Sequence, residues 1–221
     1  MNDWLGFLIS LVYIFGLIGL AEILRRRRGY SSDFTRKVIH IGVGMLAWAL
    51  PFLFNEPWLF MVACVGFMVI NLLDWRFGFF AAMSSSSRSN LGTVYFPLAA
   101  AVVAYVYWDT PPIMVAALMP LTWGDGLAPV IGKLYGKHTY EIKGTTRSLE
   151  GSIGFFFAAL AATWLALWII PGSPALTPAE AFLPALIVSF FTAIVEAVTI
   201  WGLDNLTVTA TAMIILSIWF F

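Results

Sequence analysis

Long apolar runs constrain this chain more than any other feature, because about 20 apolar residues in a row span the hydrocarbon core of a membrane. The first run, WLGFLISLVYIFGLIGLAEIL at 4–24, is too long for the apolar core of a secretory signal and has no small-residue cleavage site. We therefore interpret it as a retained helix. Only 11% of the 221 residues are charged and 61% are hydrophobic, a composition that excludes an ordinary soluble domain.

Hydropathy predicts one all-α integral membrane domain over residues 1–221, with about eight transmembrane helices. The predicted spans lie near 4–24, 38–54, 57–73, 93–108, 112–131, 152–170, 180–200 and 206–221. Little chain is left between these spans. Any chemistry must therefore be built from helix ends and short loops.

The basic residues predict the orientation of the spans. All twelve fall in alternate connections: Arg25, Arg26, Arg27, Arg28, Arg36 and Lys37, then Arg76 and Arg88, then Lys133, Lys137, Lys143 and Arg147. Because basic residues near span ends resist translocation, these connections are predicted to be cytoplasmic and both termini external. We expect a multi-pass protein of the cell membrane.

Polar and ionisable residues, which are costly to bury in a bilayer, are predicted to gather at the cytoplasmic level. They come from spans two, three, five and seven: Lys37 and His40, Asn71 and Asp74, Asp125, and Glu196, Asp204 and Asn205. Each has a second interpretation, such as helix capping for Asn71 and Asp74 or a packing hydrogen bond for His40. Together they predict an active site at the cytoplasmic membrane surface.

The stretch GDGLAPVIGKLYGKHTYEIKGTTRSLEGS at 124–152 carries the strongest signal. Its glycines and Pro129 predict an irregular helix, since Pro lacks a backbone donor and each Gly weakens a helix by about 1 kcal/mol. Irregular backbone at membrane depth is tolerated where it lines a wet cavity, so Asp125 is expected to face one. Freed N–H groups and lysines favour phosphate, and a carboxylate beside phosphate typically holds Mg²⁺.

This stretch is not a Walker A loop. In GLAPVIGKL, five residues separate the glycines and no hydroxyl follows Lys133, whereas a Walker A loop has four residues there and a Ser or Thr after the Lys. His138, in the polar connection, is expected to be solvated.

Four segments carry a family resemblance: RKVIH at 36–40, GDGLAPVIGKLYGKH at 124–138, KGTTRSLEGSIGFF at 143–156 and EAVTIWGLDNLTV at 196–208. Together they resemble the CTP-dependent isoprenoid-alcohol kinases, the family of phytol kinase and dolichol kinase, and more distantly the phosphatidate cytidylyltransferases. The resemblance implies a membrane enzyme that transfers the γ-phosphate of CTP to the hydroxyl of phytol, geranylgeraniol or a polyprenol. Arg147 stands where family members commonly carry Lys, and a guanidinium can still bind phosphate.

Phosphoryl transfer needs cations to neutralise charge and an aligned hydroxyl, and the resemblance suggests which residues supply them. Asp125 is expected to bind Mg²⁺, with Asp204 or Glu196 as a second carboxylate. His40 is a candidate base, and Glu150 would bind metal or orient the alcohol, so the expected catalytic residues are Asp125, His40 and Glu150. The expected nucleotide-binding residues are Gly124, Gly126, Gly132, Lys133, Gly136, Lys137, Lys143, Arg147 and Ser148.

The expected partners are a lipid alcohol, CTP and the bilayer, with no nucleic acid. The tail of the alcohol would stay in the bilayer while its hydroxyl meets CTP and Mg²⁺ at the cytoplasmic surface. Two alternatives remain open: a CTP-dependent cytidylyltransferase acting on a lipid phosphate, and an ion-coupled transporter. Transporters also use a broken helix with a buried carboxylate, but no internal repeat is visible here, and the basic connection after Asp125 suits phosphate better.

Overall fold

The computed structural model describes residues 2–79 and 91–221, and most of these are helical. The α-helices are α1 (Asp3–Arg28), α2 (Ser32–Met45), α3 (Leu50–Leu53), α4 (Pro57–Phe77), α5 (Gly92–Tyr107), α6 (Pro111–Met119), α7 (Gly126–Tyr135), α8 (Leu149–Ile169), α9 (Pro178–Val198) and α10 (Asp204–Phe220). A 3₁₀ helix, Leu46–Trp48, lies between α2 and α3, and a π-helix, Pro120–Asp125, joins α6 to α7. Strands β1 (Thr139–Ile142) and β2 (Thr145–Ser148) precede α8.

Five helical segments of the described chain are long and apolar enough to cross a membrane: Asp3–Arg28, Pro57–Phe77, Pro111–Tyr135, Leu149–Ile169 and Pro178–Val198. Gly92–Tyr107 and Asp204–Phe220 are shorter apolar helices. The predicted span at 38–54 is divided among α2, the 3₁₀ helix and α3. A helical membrane protein is therefore confirmed, while the count of eight spans and their orientation stay predictions. Arg88, which contributed to the predicted orientation, lies outside the described residues.

The central segment of the fold is Pro111–Tyr135. Every residue from Pro112 to Thr122 is buried, and the neighbours of this segment include α8, α2, α5 and α10. By contrast, α1 and α4 expose apolar side chains, as at Val62, Val65 and Val69. These three recur at helical spacing on one face of α4. Such a face suits lipid contact, since hydrocarbon is as apolar as the side chains it meets.

The glycines of the 124–152 stretch serve close helix packing. A Cβ atom at Gly124 would lie 2.8 Å from the Phe155 ring of α8, and one at Gly132 would lie 2.8 Å from the Ser148 Oγ. The chain stays helical to Tyr135, and its irregularity is confined to the π-helix. The expected irregular helix is therefore present, and the helix that follows it stays closed, because Ile41 of α2 lies against Gly126 and Ser148 of β2 lies against Gly132 and Gly136.

The connection after α7 is a β-hairpin, which the sequence analysis did not predict. β1 and β2 pair antiparallel, with Thr139 opposite Ser148 and Ile142 opposite Thr145. The turn residues Lys143 and Gly144 have φ angles of 45° and 81°, the positive values that a two-residue type I′ hairpin turn needs. The hairpin runs directly into α8 and holds the basic connection against the helix ends.

We expect Gly6→Ala to destabilise the fold. Gly6 of α1 is buried against the backbone of α3, where an added Cβ would overlap the Leu53 carbonyl oxygen. Overpacking of this kind costs about 1–3 kcal/mol, so the melting temperature of the purified protein should fall. Gly16→Ala is the matched control on the same helix, because nothing lies within 4 Å of its Cβ position. Equal melting temperatures for the two variants would contradict this packing.

Candidate active site

A buried ion pair between Lys37 and Asp125 joins α2 to the end of the π-helix. The Lys37 Nζ lies 2.8 Å from the Asp125 Oδ2 and 2.9 Å from the Asp125 backbone oxygen. That backbone oxygen is available because Pro129, four residues later, has no N–H to donate to it. One ammonium group thus compensates the charge of Asp125 and donates to a carbonyl that lacks its usual i+4 donor.

His40 lies one turn after Lys37 and faces the same carboxylate. Its Nε2 is 2.8 Å from the Leu121 carbonyl oxygen and 3.4 Å from the Asp125 Oδ2. Because a carbonyl can only accept, Nε2 carries the proton, and Nδ1 of the neutral ring is left as an acceptor. The packing hydrogen bond predicted for His40 is present. The role of His40 as a base stays a prediction, and Nδ1 is the atom that would accept the proton.

A second charged cluster forms around Arg147 of β2. The guanidinium pairs with Glu196 of α9, donates to the Thr199 carbonyl oxygen at 2.5 Å, and approaches the Asp204 Oδ2 at 3.9 Å. All three charged side chains are largely buried. Arg147, expected to bind nucleotide, therefore ties the hairpin to the end of α9 and the start of α10.

The Lys37–Asp125 pair and Asp204 of the second cluster border one cavity, whose polar end combines α2, the π-helix and the start of α10. The side chains there include Lys37, His40, Asp125, Asp204 and Asn205. The rest of the cavity is lined mainly by apolar side chains of α1, α2, α4 and α5. The site therefore has an amphipathic shape, with charge at one end and hydrocarbon along the remaining length.

The oxygen atoms at the polar end fit a magnesium ion shared with a nucleotide. Asp125, Asp204 and Asn205 line the cavity, and the buried Asn205 Oδ1 has no hydrogen-bond partner among the described residues. Mg²⁺ usually binds one or two carboxylates together with substrate phosphates. Within residues 2–79 and 91–221, no cluster of three or more His, Cys, Asp or Glu side chains could hold a metal unaided. Glu196 does not line this cavity and is neutralised by Arg147, so it does not fit the expected metal site.

Glu150 and Ser148 lie at the junction of the hairpin and α8, away from Asp125. The Glu150 Oε1 is 2.7 Å from the His138 Nδ1, and the Ser148 Oγ caps α8 by accepting the Gly151 N–H at 3.1 Å. The structure therefore does not bring Glu150 together with Asp125 and His40. His138, expected to be solvated only, anchors the start of the hairpin through Glu150.

The remaining nucleotide-binding candidates divide into surface lysines and packing glycines. Lys133, Lys137 and Lys143 are exposed, at the end of α7, after it and at the hairpin tip. The four glycines, by contrast, sit where a Cβ would meet a neighbour closer than 3 Å: Gly124, Gly126, Gly132 and Gly136. The lysines are thus free to contact a soluble anion, while the glycines shape the helix contacts beneath them.

The contacts of three lining residues of the polar end were not predicted from the sequence, although Lys37 and Asn205 were predicted to lie at this level. Lys37 was noted beside His40 but not assigned to Asp125, and neither Thr122 nor Asn205 was singled out as a ligand. Two sequence signals were available for Lys37. It stands three residues before His40 on the same helix face, and Pro129 leaves the Asp125 carbonyl in need of a donor.

Comparison with known proteins gives several relatives. The chain is 28% identical to phytol kinase of Synechocystis sp. over 207 residues, which cover 93% of this chain and 87% of the relative. It is 25% identical to a chloroplastic farnesol kinase of Arabidopsis thaliana, in a match that covers 96% of this chain and 74% of the relative. It is 28% identical to CTP-dependent diacylglycerol kinase 1 of Schizosaccharomyces pombe, in a match that covers 52% of this chain and 53% of the relative.

These relatives confirm the predicted resemblance to CTP-dependent lipid-alcohol kinases. They carry no support for the more distant link to cytidylyltransferases. No family model and no solved structure matches the chain.

We expect Lys37→Met to destabilise the protein strongly, because it leaves Asp125 charged and unpaired in a buried place. Breaking one partner of a buried pair costs about 3–5 kcal/mol, whereas replacing both partners by apolar residues is often nearly neutral. The double variant Lys37→Met/Asp125→Leu should therefore recover most of the lost melting temperature. Arg26→Met is the control, since Arg26 pairs with Glu22 at the surface and is 73% exposed. A single variant as stable as this control would contradict the ion pair.

Proposed function

We propose that this chain is a CTP-dependent lipid-alcohol kinase that transfers the γ-phosphate of CTP to the hydroxyl of an isoprenoid alcohol, with phytol as the foremost candidate. The observation that carries the proposal is the amphipathic cavity, in which Asp125, Lys37 and His40 meet at the polar end of an otherwise apolar chamber. The relatives named phytol kinase and farnesol kinase support the same reaction.

The polar end supplies what phosphoryl transfer requires. The alcohol oxygen attacks the γ-phosphorus, the bond from that phosphorus to the β,γ-bridging oxygen breaks, and CDP leaves. We assign the hydroxyl proton to the Nδ1 of His40. Asp125 and Asp204 would hold Mg²⁺, which when bound neutralises phosphate charge. Lys37 pairs with Asp125 and lies where developing charge can be stabilised.

The nucleotide would approach from the water-facing side through the exposed lysines. Lys133, Lys137 and Lys143 form a basic surface around the hairpin, and such a surface attracts the triphosphate of CTP. Arg147 has a different role in this proposal. Its pair with Glu196 and its approach to Asp204 fix the second carboxylate at the edge of the cavity.

The proposal places this site on the cytoplasmic side of a cell membrane, in one domain of eight spans. The alternate placement of the twelve basic residues supports that orientation. In this arrangement the lipid alcohol arrives from the bilayer, and CTP arrives from the aqueous phase.

The decisive experiment is turnover of the purified protein in lipid nanodiscs with phytol, Mg²⁺ and CTP labelled on either the α- or the γ-phosphate. We expect label in the lipid product from γ-labelled CTP only. Lipid labelled from α-labelled CTP would instead identify a cytidylyltransferase. Solute flux in proteoliposomes without CTP consumption would identify a transporter.

Asp125→Asn should lower kcat by about 10²–10³-fold, since it removes a negative charge on which cation binding at the reacting centre depends. The reaction is measured with γ-labelled CTP and phytol. Asp33→Asn is the matched control, because Asp33 is also a carboxylate near α2 but is 57% exposed and lies outside the cavity. Equal activity of both variants would remove Asp125 from the active site.

Neutralising the hairpin lysines should weaken CTP binding with little effect on the lipid. Exposed charges each contribute up to about 1 kcal/mol, so Lys137→Met and Lys143→Met should each raise KM for CTP severalfold or less, and the pair should raise it further. KM for phytol should not change. Arg27→Met, which removes an exposed basic residue from the end of α1, serves as the control. An unchanged KM for CTP in the double variant would place the triphosphate elsewhere.

A further inference from the structure

The apolar part of the cavity forms a long arm that leads away from Asp125. The helical segments that line it include α1, α2 with its 3₁₀ continuation, the start of α3, α4 and α5. We name this part the tail arm and define it by Ile14, Ile18, Leu50, Phe60, Cys64 and Phe67. Its side chains are apolar apart from the Ser10 hydroxyl near the far end, which already donates to the Gly6 carbonyl oxygen at 2.8 Å.

The depth of the tail arm follows from the helix that runs along it. Asn71 and Phe60 of α4 both line the cavity, at its polar and far ends, and eleven residues of α-helix correspond to about 16 Å. That is about half of the ~30 Å hydrocarbon layer. A molecule held at Asp125 by its polar end would therefore extend from the membrane surface towards the bilayer centre.

A chamber of this length needs an occupant. Protein interiors are close-packed, and their few voids are rarely larger than a water molecule. Water would find almost no polar partners along this arm, because Leu50, Phe60 and Phe67 offer none. The complementary occupant is a hydrocarbon chain with a single polar end, which is the chemistry of a lipid alcohol.

We propose that the tail arm binds the isoprenoid chain of the alcohol, and that Cys64 and Phe60 determine the tail length that is accepted. This inference rests on the kinase function proposed above. Cys64 lies seven residues from Asn71, or about 10 Å along α4, so a short tail ends before it and a longer one passes it. Phe60 stands one further helical turn away, at the far end of the arm.

The test is a pair of Phe substitutions on adjacent residues of α4. Cys64 is buried and lines the arm, while Val65 is 56% exposed on the outer face of α4. Cys64→Phe should lower kcat/KM for phytol and farnesol at least tenfold and for the shorter geraniol much less. Val65→Phe should leave all three values unchanged. If Cys64→Phe does not fold, the smaller replacement Cys64→Leu should also lower kcat/KM more for phytol and farnesol than for geraniol.

A binding measurement on the unaltered protein tests the same arm without relying on turnover. A prenyl alcohol with a diazirine at the end of its tail is photolysed in nanodiscs, and the labelled residues are identified by mass spectrometry. We expect adducts on the arm-facing residues of α1 and α4, and we expect unlabelled phytol to suppress them. Labelling confined to the outer face of α4, near Val62 and Val65, would overturn the proposal. Suppression by diacylglycerol but not by phytol would overturn it as well.

These outcomes separate the two proposals. If the protein shows no γ-phosphate transfer to any alcohol, the kinase function fails, and the crosslinking result alone decides what the arm binds. If the protein is an active kinase but Cys64→Phe treats phytol and geraniol alike, only the tail arm is wrong. A uniform loss for all three alcohols would also count against it, since a length-determining residue must discriminate between tails.

Discussion

The ion pair between Lys37 and Asp125 is the interaction on which the rest of the site depends. A lone carboxylate in an apolar bundle is costly, and here one ammonium group satisfies both that carboxylate and a backbone carbonyl. Because the pair joins α2 to the central Pro111–Tyr135 segment, it also fixes where α2 begins its passage along the cavity. His40, one turn later, is thereby directed at the same carboxylate.

The irregular backbone around Asp125 explains why charged side chains gather there. The π-helix and Pro129 disturb the regular hydrogen-bonding ladder on either side of Asp125, and the Leu121 and Asp125 carbonyls take side-chain donors from α2. In lipid, such carbonyls need partners within the protein. Lys37 and His40 are those partners. The irregular hydrogen bonding of one helix therefore explains both why polar residues are needed and where the site lies.

The apolar helices and the gathering of polar residues could be predicted from sequence, because long hydrophobic runs and the cost of buried charge leave few arrangements. Asp125, His40 and Asp204 were identified in this way, and the structure places them on one cavity. The ion pairs between these elements were harder to predict. Nothing in the order of residues says that Arg147 meets Glu196 or that Glu150 meets His138, since each contact joins elements that only tertiary packing brings together.

The close packing of the glycines could not be predicted for a related reason. A glycine-rich helix can have an exposed backbone, or it can allow another helix to approach closely. Which of the two occurs depends on the residues that pack against it. Phe155 and Ser148 occupy the space beside Gly124 and Gly132, so small residues here permit the tight packing common in membrane bundles. This packing has a functional consequence: α8 carries the hairpin, so its contact with the central segment sets the distance between the basic surface and Asp125. The site therefore depends on glycines that need not touch any substrate.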